Sequence, residues 1–237
     1  MTNDDSVPVT VPRRDALRML AGGGGLLLAG RSMAQGSPPR VRSPACVLTP
    51  AQTEGPYFVD ERLNRSDVRA DPTTGAISPG APLALELRVA TVAGMQCAPL
   101  RDALVDIWQC DALGNYSAVD AARGARYLRG YQMTDADGRV RFMTVYPGAY
   151  PGRAVHIHLK IRAAAPGRTR EFTSQLYFDD ALTDRVHASR AYGGGATGRT
   201  RNGRDGLYAN GGRDLTLDVV ENGDGYAASY ALGISSG

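Results

Sequence analysis

Short apolar segments separated by turn residues constrain the fold of this chain more than any other feature of its sequence. Leu83, Leu85, Leu87 and Val89 alternate with more polar residues, which is the period of two of a half-buried β-strand. The segment 103–110 is apolar at most positions of both parities, as expected of an interior strand. The sequence predicts about seven strands, at 83–89, 103–110, 139–146, 155–161, 172–178, 215–219 and 226–232.

Turn-forming residues are frequent, with 29 glycines and 14 prolines among 237 residues. Long helices are therefore not expected, and only 180–190 has a weak helical pattern. The stretch 193–212 contains eight glycines and predicts a long irregular loop, which is either part of a functional site or a floppy insertion. This pattern favours an all-β fold: a single-domain, mixed β-sandwich with long irregular loops and little helix.

The first 34 residues are typical of an export signal. Arg13 and Arg14 precede an apolar stretch of twelve residues, 19–30, and a small-x-small cleavage sequence follows at 32–34. The paired arginines resemble the twin-arginine signal that exports folded proteins, and an ordinary secretory signal is the alternative. The expected divisions are a signal peptide, a flexible lead-in and one domain, at 1–34, 35–45 and 46–237.

The charge of the chain is nearly balanced, with 27 basic and 24 acidic residues and a formal charge of +3. The many arginines are scattered and largely matched by carboxylates, so a nucleic-acid partner is not expected. We expect no membrane span after signal removal, and a periplasmic or extracellular location. The sequence leaves open whether the chain forms a homo-oligomer.

Three cysteines, Cys46, Cys97 and Cys110, would meet an oxidising compartment after export. An odd number predicts one disulfide and one buried thiol, but spacing alone does not select the pair. Because Cys110 ends an apolar run and is expected to be buried, we favour the pairing of Cys46 with Cys97.

Two of the three histidines lie two residues apart in a predicted strand. Alternation along 155–161 places His156, His158 and Lys160 on the face opposite the apolar residues. The two imidazoles then project side by side, with Cβ atoms about 6 to 7 Å apart, which suits chelation of one metal ion. A pair of exposed histidines on a polar face explains the same motif equally well.

Tyrosines occur at two turns beside this strand, Tyr116 and Tyr150. A phenol has a pKa of about 10, so a tyrosinate ligand requires a strongly Lewis-acidic metal to keep the proton off. Anionic hard oxygen donors favour Fe(III) over Zn(II) or Cu(I). The chain has eleven tyrosines, however, and composition alone does not select these two.

Five segments in order resemble those of the intradiol ring-cleavage dioxygenases. They are TEGPYF at 53–58, VDIWQCDALGNY at 105–116, PGAYP at 147–151, RAVHIH at 153–158 and QLYF at 175–178. Their order and approximate spacing match from about residue 46 to residue 208. Five ordered motifs are far more specific than any one of them.

The resemblance implies a mononuclear, non-heme Fe(III) site. In that family two tyrosinates and two histidines hold the ion, and the matching residues here are Tyr116, Tyr150, His156 and His158. By the same resemblance, Tyr150 would also take up a substrate proton. Fe(III) is therefore the expected cofactor.

The resemblance also implies three residues near the substrate. Arg153 matches the active-site arginine of the family, which would stabilise negative charge on the ring. Gln175 matches the glutamine beside the substrate, and Tyr57 matches a tyrosine that can line the pocket. A surface ion pair for Arg153, and packing roles for Gln175 and Tyr57, are the alternatives.

The activity implied is cleavage of a catecholic ring by O2 between its two hydroxyls, giving a cis,cis-muconate-type diacid. Only five residues separate Tyr150 from His156, fewer than in cytoplasmic members of the family. Because this loop helps to shape the substrate pocket, the sequence does not identify which catecholic substrate is used. One alternative is a binding module for a phenolic or envelope ligand. The other is a Zn(II) hydrolase that uses His156 and His158, disfavoured because no carboxylate has a recognisable third-ligand spacing.

Overall fold

The computed structural model describes residues 46–165, 167–195 and 198–236, so the predicted signal peptide and lead-in lie outside the described residues. The described chain contains nine strands and one α-helix. The strands are β1 (Pro82–Ala93), β2 (Gln96–Pro99), β3 (Leu104–Trp108), β4 (Arg129–Met133), β5 (Arg139–Val145), β6 (His156–Ala165), β7 (Arg168–Tyr177), β8 (Asp218–Asn222) and β9 (Gly225–Ser235). The helix, α1, spans Asp180–His187.

The strands form two sheets. In the first, β1 pairs with β9 in parallel, while β5 and β2 pair antiparallel with the first and last parts of β1, and β8 pairs with β9. The second sheet has the order β4-β3-β6-β7 and is antiparallel throughout. The single parallel pair makes the first sheet mixed, as the sequence predicted.

Side chains from both sheets meet in one apolar core. Leu83, Leu85 and Leu87 of β1 are fully buried in it, together with Ile157 and Ile161 of β6. The alternating residues that predicted strands are thus the residues that hold the two sheets together, since burial of apolar surface is the main driving force for folding. The prediction of an all-β sandwich with little helix is confirmed.

Two strands were missed by sequence reasoning, and one was placed too early. β2 has only four residues, and β4, with the sequence RGYQM, lacks apolar alternation. The predicted strand 215–219 is divided between two partners: Thr216 forms an isolated bridge with Tyr177, whereas β8 begins only at Asp218 and pairs with β9.

The predicted irregular loop has defined structure in its described part. The weakly helical stretch forms α1 and then a 3-10 turn at Arg190–Tyr192. Asn202 and Asp205 are buried, and the Asn202 side-chain amide donates to the Phe178 carbonyl at 2.8 Å. These residues are packed against the sandwich, so this part of 193–212 is not a flexible insertion.

The predicted disulfide joins Cys46 to Cys97, with Cα atoms 5.3 Å apart. It links the start of the described chain to β2. Cys110 is a free thiol and is buried, as predicted. None of the helices in the described residues is long and apolar enough to cross a membrane.

Candidate active site

The paired histidines lie at the start of β6, which β3 and β7 flank on either side. His158 is opposite Trp108 in β3 and Gln175 in β7, and both imidazoles are at most 2% exposed. Ile157, between them, points into the apolar core. The predicted alternation is therefore confirmed, but the histidine face is buried, which contradicts the alternative of two exposed histidines.

Hydrogen bonding fixes the tautomer of one imidazole. His156 Nδ1 lies 2.6 Å from the Ala154 carbonyl and donates to it, which leaves a lone pair on Nε2. His156 Nε2 is 3.0 Å from His158 Nε2 and 3.2 Å from the Tyr150 hydroxyl. Two ligand nitrogens that each bind one ion at about 2.1 Å, with an angle of about 90° between the two bonds, lie about 3.0 Å apart. The imidazole separation therefore fits a shared ion.

The indole of Trp108 fixes the second imidazole. Its ring stacks on His158 with centroids 4.8 Å apart and an angle of 6° between the planes. The backbone at Gly55, where φ is +70°, also passes close to this imidazole: a Cβ there would be 3.4 Å from His158 Cε1. His158 is thus held by packing rather than by a second hydrogen bond.

The two phenols reach the histidines from turns on different parts of the chain. Tyr116 ends a turn that begins at Asp111, whose carboxylate accepts from the backbone N–H of Leu113 and of Asn115 at 2.9 Å. The Tyr150 ring lies 5.6 Å from the Tyr116 ring and 5.7 Å from that of His156, between centroids. The structure thus brings the four predicted ligands into one cluster.

Tyr57 packs against both phenols. Its ring stacks on Tyr116 at 4.3 Å and meets the edge of Tyr150 at 6.2 Å. It therefore lies beside the phenols, where the resemblance places a residue of the pocket wall.

Burial holds the four groups in their neutral forms when no cation is present. It raises the pKa of Tyr116 well above its usual value and also raises the pKa of Tyr150. Burial, with the nearby charge of Arg153, lowers the pKa of His156 to about 4, and burial beside His156 and Arg153 lowers the pKa of His158 well below its usual value. Neutral imidazoles are the form that binds metals, whereas the phenols need a cation to become anions.

The cluster could hold one metal ion through two oxygens and two nitrogens. The hydroxyl of Tyr116 is buried and has no hydrogen-bond partner among the described residues. Such an orphaned polar group is costly unless something binds it. Within the described chain, three or more His, Cys, Asp or Glu side chains do not gather at any one metal site, so a donor set here must include the phenols.

Arg153 and Gln175 are in direct contact beside this cluster. An Nη of Arg153 donates to the Gln175 side-chain oxygen at 2.5 Å, and its Nε donates to Asp205 at 2.9 Å. Burial alone would lower the pKa of Arg153, but Tyr150 and Asp205 raise it. Arg153 is a partly buried, charged guanidinium, so the alternative of a simple surface ion pair is wrong.

Sequence reasoning missed two further partners of Arg153, which are Asp205 and Tyr177. Asp205 lies in the glycine-rich loop, and the only signal for it was the length of that loop. The hydroxyl of Tyr177 donates to Gln52 at 2.7 Å and receives a long contact of 3.4 Å from Arg153. Asp205 and Tyr177 contact Arg153 only because the folded chain packs their segments together. The sequence of neither segment has a pattern that predicts this contact.

Comparisons with known proteins agree with this geometry. The family model described as "Dioxygenase" matches residues 53–192, more than half of the chain. Catechol 1,2-dioxygenase 2 of Acinetobacter lwoffii is 33% identical over 150 residues, which are 55% of this chain and 51% of that protein. The protocatechuate 3,4-dioxygenase beta chain of Burkholderia cepacia is 33% identical over 181 residues, 69% of each chain.

A solved structure of an intradiol ring-cleavage dioxygenase from Tetranychus urticae is similar with a TM-score of 0.67 and 29% identity. The match covers 80% of this chain and 95% of that chain. This chain spans about half the length of the Acinetobacter relative and about two thirds of the Burkholderia relative. Together, the family model and these relatives show that the chain belongs to the intradiol ring-cleavage dioxygenase family.

Proposed function

We propose that the protein is an exported, non-heme Fe(III) dioxygenase that cleaves a catecholic ring between its two hydroxyl-bearing carbons. The observation that carries the proposal is one cluster of four side chains. The Tyr150 hydroxyl lies 3.2 Å from His156 Nε2, the two histidine Nε2 atoms are 3.0 Å apart, and the Tyr116 ring packs edge-on against Tyr150 and His158. Names of relatives support the substrate class, since catechol and protocatechuate are both aromatic 1,2-diols.

The residues present fit a ferric ion. A buried phenol oxygen without a partner, at Tyr116, gains an anionic state only beside a strong Lewis acid, and hard anionic oxygens favour Fe(III). His156 already presents its Nε2 lone pair towards the cluster. Bound there by Tyr116, Tyr150, His156 and His158, iron would supply Lewis acidity and a template for the two substrate oxygens.

Four residues of the site have distinct tasks in this proposal. Tyr150 takes one catechol proton at its phenolate oxygen, because it is the less buried of the two phenols. Arg153 stabilises negative charge that develops on the ring, a task suited to a guanidinium that stays charged. Gln175 orients the substrate, and Tyr57 forms a wall against which a flat ring can stack.

The overall reaction needs no external reductant. The carbon–carbon bond between the two hydroxyl-bearing carbons breaks, and both atoms of O2 enter the product. Catechol would thus give cis,cis-muconic acid, a diacid with the same carbon count. The ring supplies the electrons that reduce oxygen.

The purified protein tests this proposal. We expect about one iron per chain, a reddish colour from tyrosinate-to-iron charge transfer, and oxygen uptake with catechol, protocatechuate or hydroxyquinol in proportion to the diacid formed. A colourless protein that contains zinc would contradict the iron assignment. A protein that binds these diols without consuming oxygen would be a binding module instead.

We also infer export through the twin-arginine pathway. The Arg13-Arg14 pair and the apolar stretch that follows support it, and the Cys46–Cys97 disulfide is typical of an oxidising compartment. Replacement of both arginines by lysine should leave the protein in the cytoplasm, measured by cell fractionation. Unchanged export would contradict the twin-arginine assignment.

A further inference from the structure

Asp205 is a buried carboxylate in the glycine-rich loop, thirteen residues beyond the end of the region that the family model matches. Its two oxygens have different partners. Oδ1 accepts from the backbone N–H of Leu207 at 2.8 Å, which fixes the carboxylate to its own loop. Oδ2 accepts from Arg153 Nε at 2.9 Å and from the Ala154 N–H at 2.8 Å.

The contact with Ala154 extends to the histidine cluster. The carbonyl of Ala154 accepts from His156 Nδ1, so the residue that Asp205 holds by its N–H orients the imidazole by its carbonyl. One carboxylate therefore fixes a guanidinium and, through one residue, a histidine of the proposed iron site.

Gln52 closes the network on the other side. Its side-chain amide donates to the carbonyls of Leu207 and Asn210 at 2.8 and 3.1 Å, and its side-chain oxygen accepts from the Tyr177 hydroxyl. The Tyr177 hydroxyl is also 3.1 Å from the Gln175 oxygen to which Arg153 donates. These hydrogen bonds thus join the glycine-rich loop to the segment around Gln52 and to β7.

We propose that Asp205 is a positioning residue that directs the terminal nitrogens of Arg153 towards the substrate and Gln175 by holding its Nε from the opposite side. This inference rests on the proposed function, in which Arg153 stabilises charge on the ring. An Arg side chain has many rotamers, and a fixed partner at Nε removes most of them before the substrate arrives.

The first test measures turnover in Asp205→Asn, which keeps the shape of the side chain and removes its charge. We expect kcat to fall about 10- to 100-fold, with the visible iron band retained because all four ligands remain. Asp184→Asn is the matched control, since Asp184 pairs with Arg199 and Arg201 of the same loop but does not contact Arg153. Equal kcat in the two variants would overturn the proposal.

A double-mutant cycle separates positioning from a general structural role. In an Arg153→Met background, Asp205→Asn should lower kcat less than about twofold further, because residues that act as a unit are non-additive. The same loss in both backgrounds would overturn the proposal. If Asp205→Asn does not fold, Asp205→Glu keeps the charge but displaces the guanidinium; wild-type kcat in that variant would also overturn it.

A chemical readout is independent of turnover. Phenylglyoxal modifies accessible guanidiniums, and peptide mass mapping measures the rate at Arg153 alone. We expect Arg153 to react several-fold faster in Asp205→Asn than in the wild type or in Asp184→Asn, and equal rates would overturn the inference. If the wild type consumes no oxygen with any diol, the proposed function fails, while this labelling still decides whether Asp205 holds Arg153.

Discussion

Gly114 is where the two tyrosine-bearing turns approach each other closely, so its substitution by alanine tests how the cluster is built. A Cβ at this position would lie 2.4 Å from the backbone oxygen of Ala149, and the φ angle is +90°. Cβ atoms essentially never approach other atoms closer than 3.0 Å. The turns that carry Tyr116 and Tyr150 would therefore have to separate by at least about 0.6 Å.

Two costs add in Gly114→Ala. A positive φ costs a non-glycine residue about 1 to 2 kcal/mol, and overpacking against backbone costs about 1 to 3 kcal/mol. We therefore expect the free energy of unfolding to fall by about 2 to 5 kcal/mol. Because Tyr150 follows Ala149 directly, the iron content and the visible band should fall as well.

Two other glycines serve as controls for urea unfolding followed by circular dichroism. Gly223 has a positive φ of +59° with open space around it, so alanine there should cost only the backbone term of about 1 to 2 kcal/mol. Gly124 has neither a positive φ nor a close neighbour, and alanine there should change stability by less than about 0.5 kcal/mol. If Gly114→Ala is no less stable than Gly223→Ala, the close approach of the two turns is refuted.

Three further changes are predicted. Tyr116→Phe should weaken the visible band and lower kcat about 100-fold or more; full activity with an unchanged spectrum would contradict its assignment as a ligand. Replacement of Cys46 and Cys97 by serine opens a loop of 51 residues and should cost about 4 kcal/mol of unfolding free energy in urea; an unchanged midpoint would contradict this. Burial raises the pKa of Asp106 to about 6 despite its ion pair with Arg162, so stability is lost as pH rises through 6. Asp106→Asn stays neutral, so its free energy of unfolding should rise relative to that of the wild type between pH 4 and pH 7. If the two free energies of unfolding change in parallel with pH, ionisation of Asp106 does not destabilise the fold.

The sequence predicted those parts of the site that depend on local geometry. The period of two along β6 was sufficient to place His156 and His158 side by side, because alternation is a property of any strand. That both are buried was not predictable, since it depends on Trp108 of β3 and on the chain near Gly55. The disulfide between Cys46 and Cys97 was inferred from the expected burial of the third cysteine, which is also a local property.

Contacts between distant segments were beyond sequence reasoning. Spacing could not select Tyr116 and Tyr150 from eleven tyrosines, and only the resemblance to a family identified them. Asp205 has no motif around it, and its pairing with Arg153 exists only because the loop folds back over the start of β6. β4 was missed for a related reason: its pairing with β3, rather than its own pattern, makes RGYQM a strand.

The four proposed ligands are not equally fixed, and the difference supports the division of tasks among them. Both histidines belong to β6, whose backbone is hydrogen-bonded to neighbouring strands, so the sheet fixes the backbone position of each. Tyr116 lies in a turn that Asp111 fastens, and its ring is stacked under Tyr57. Tyr150 is in a turn between two prolines, is only half-buried, and contacts the cluster through its hydroxyl and ring edges. It is the most exposed of the four side chains, which fits the role proposed for it, a phenolate that takes a proton from an arriving catechol.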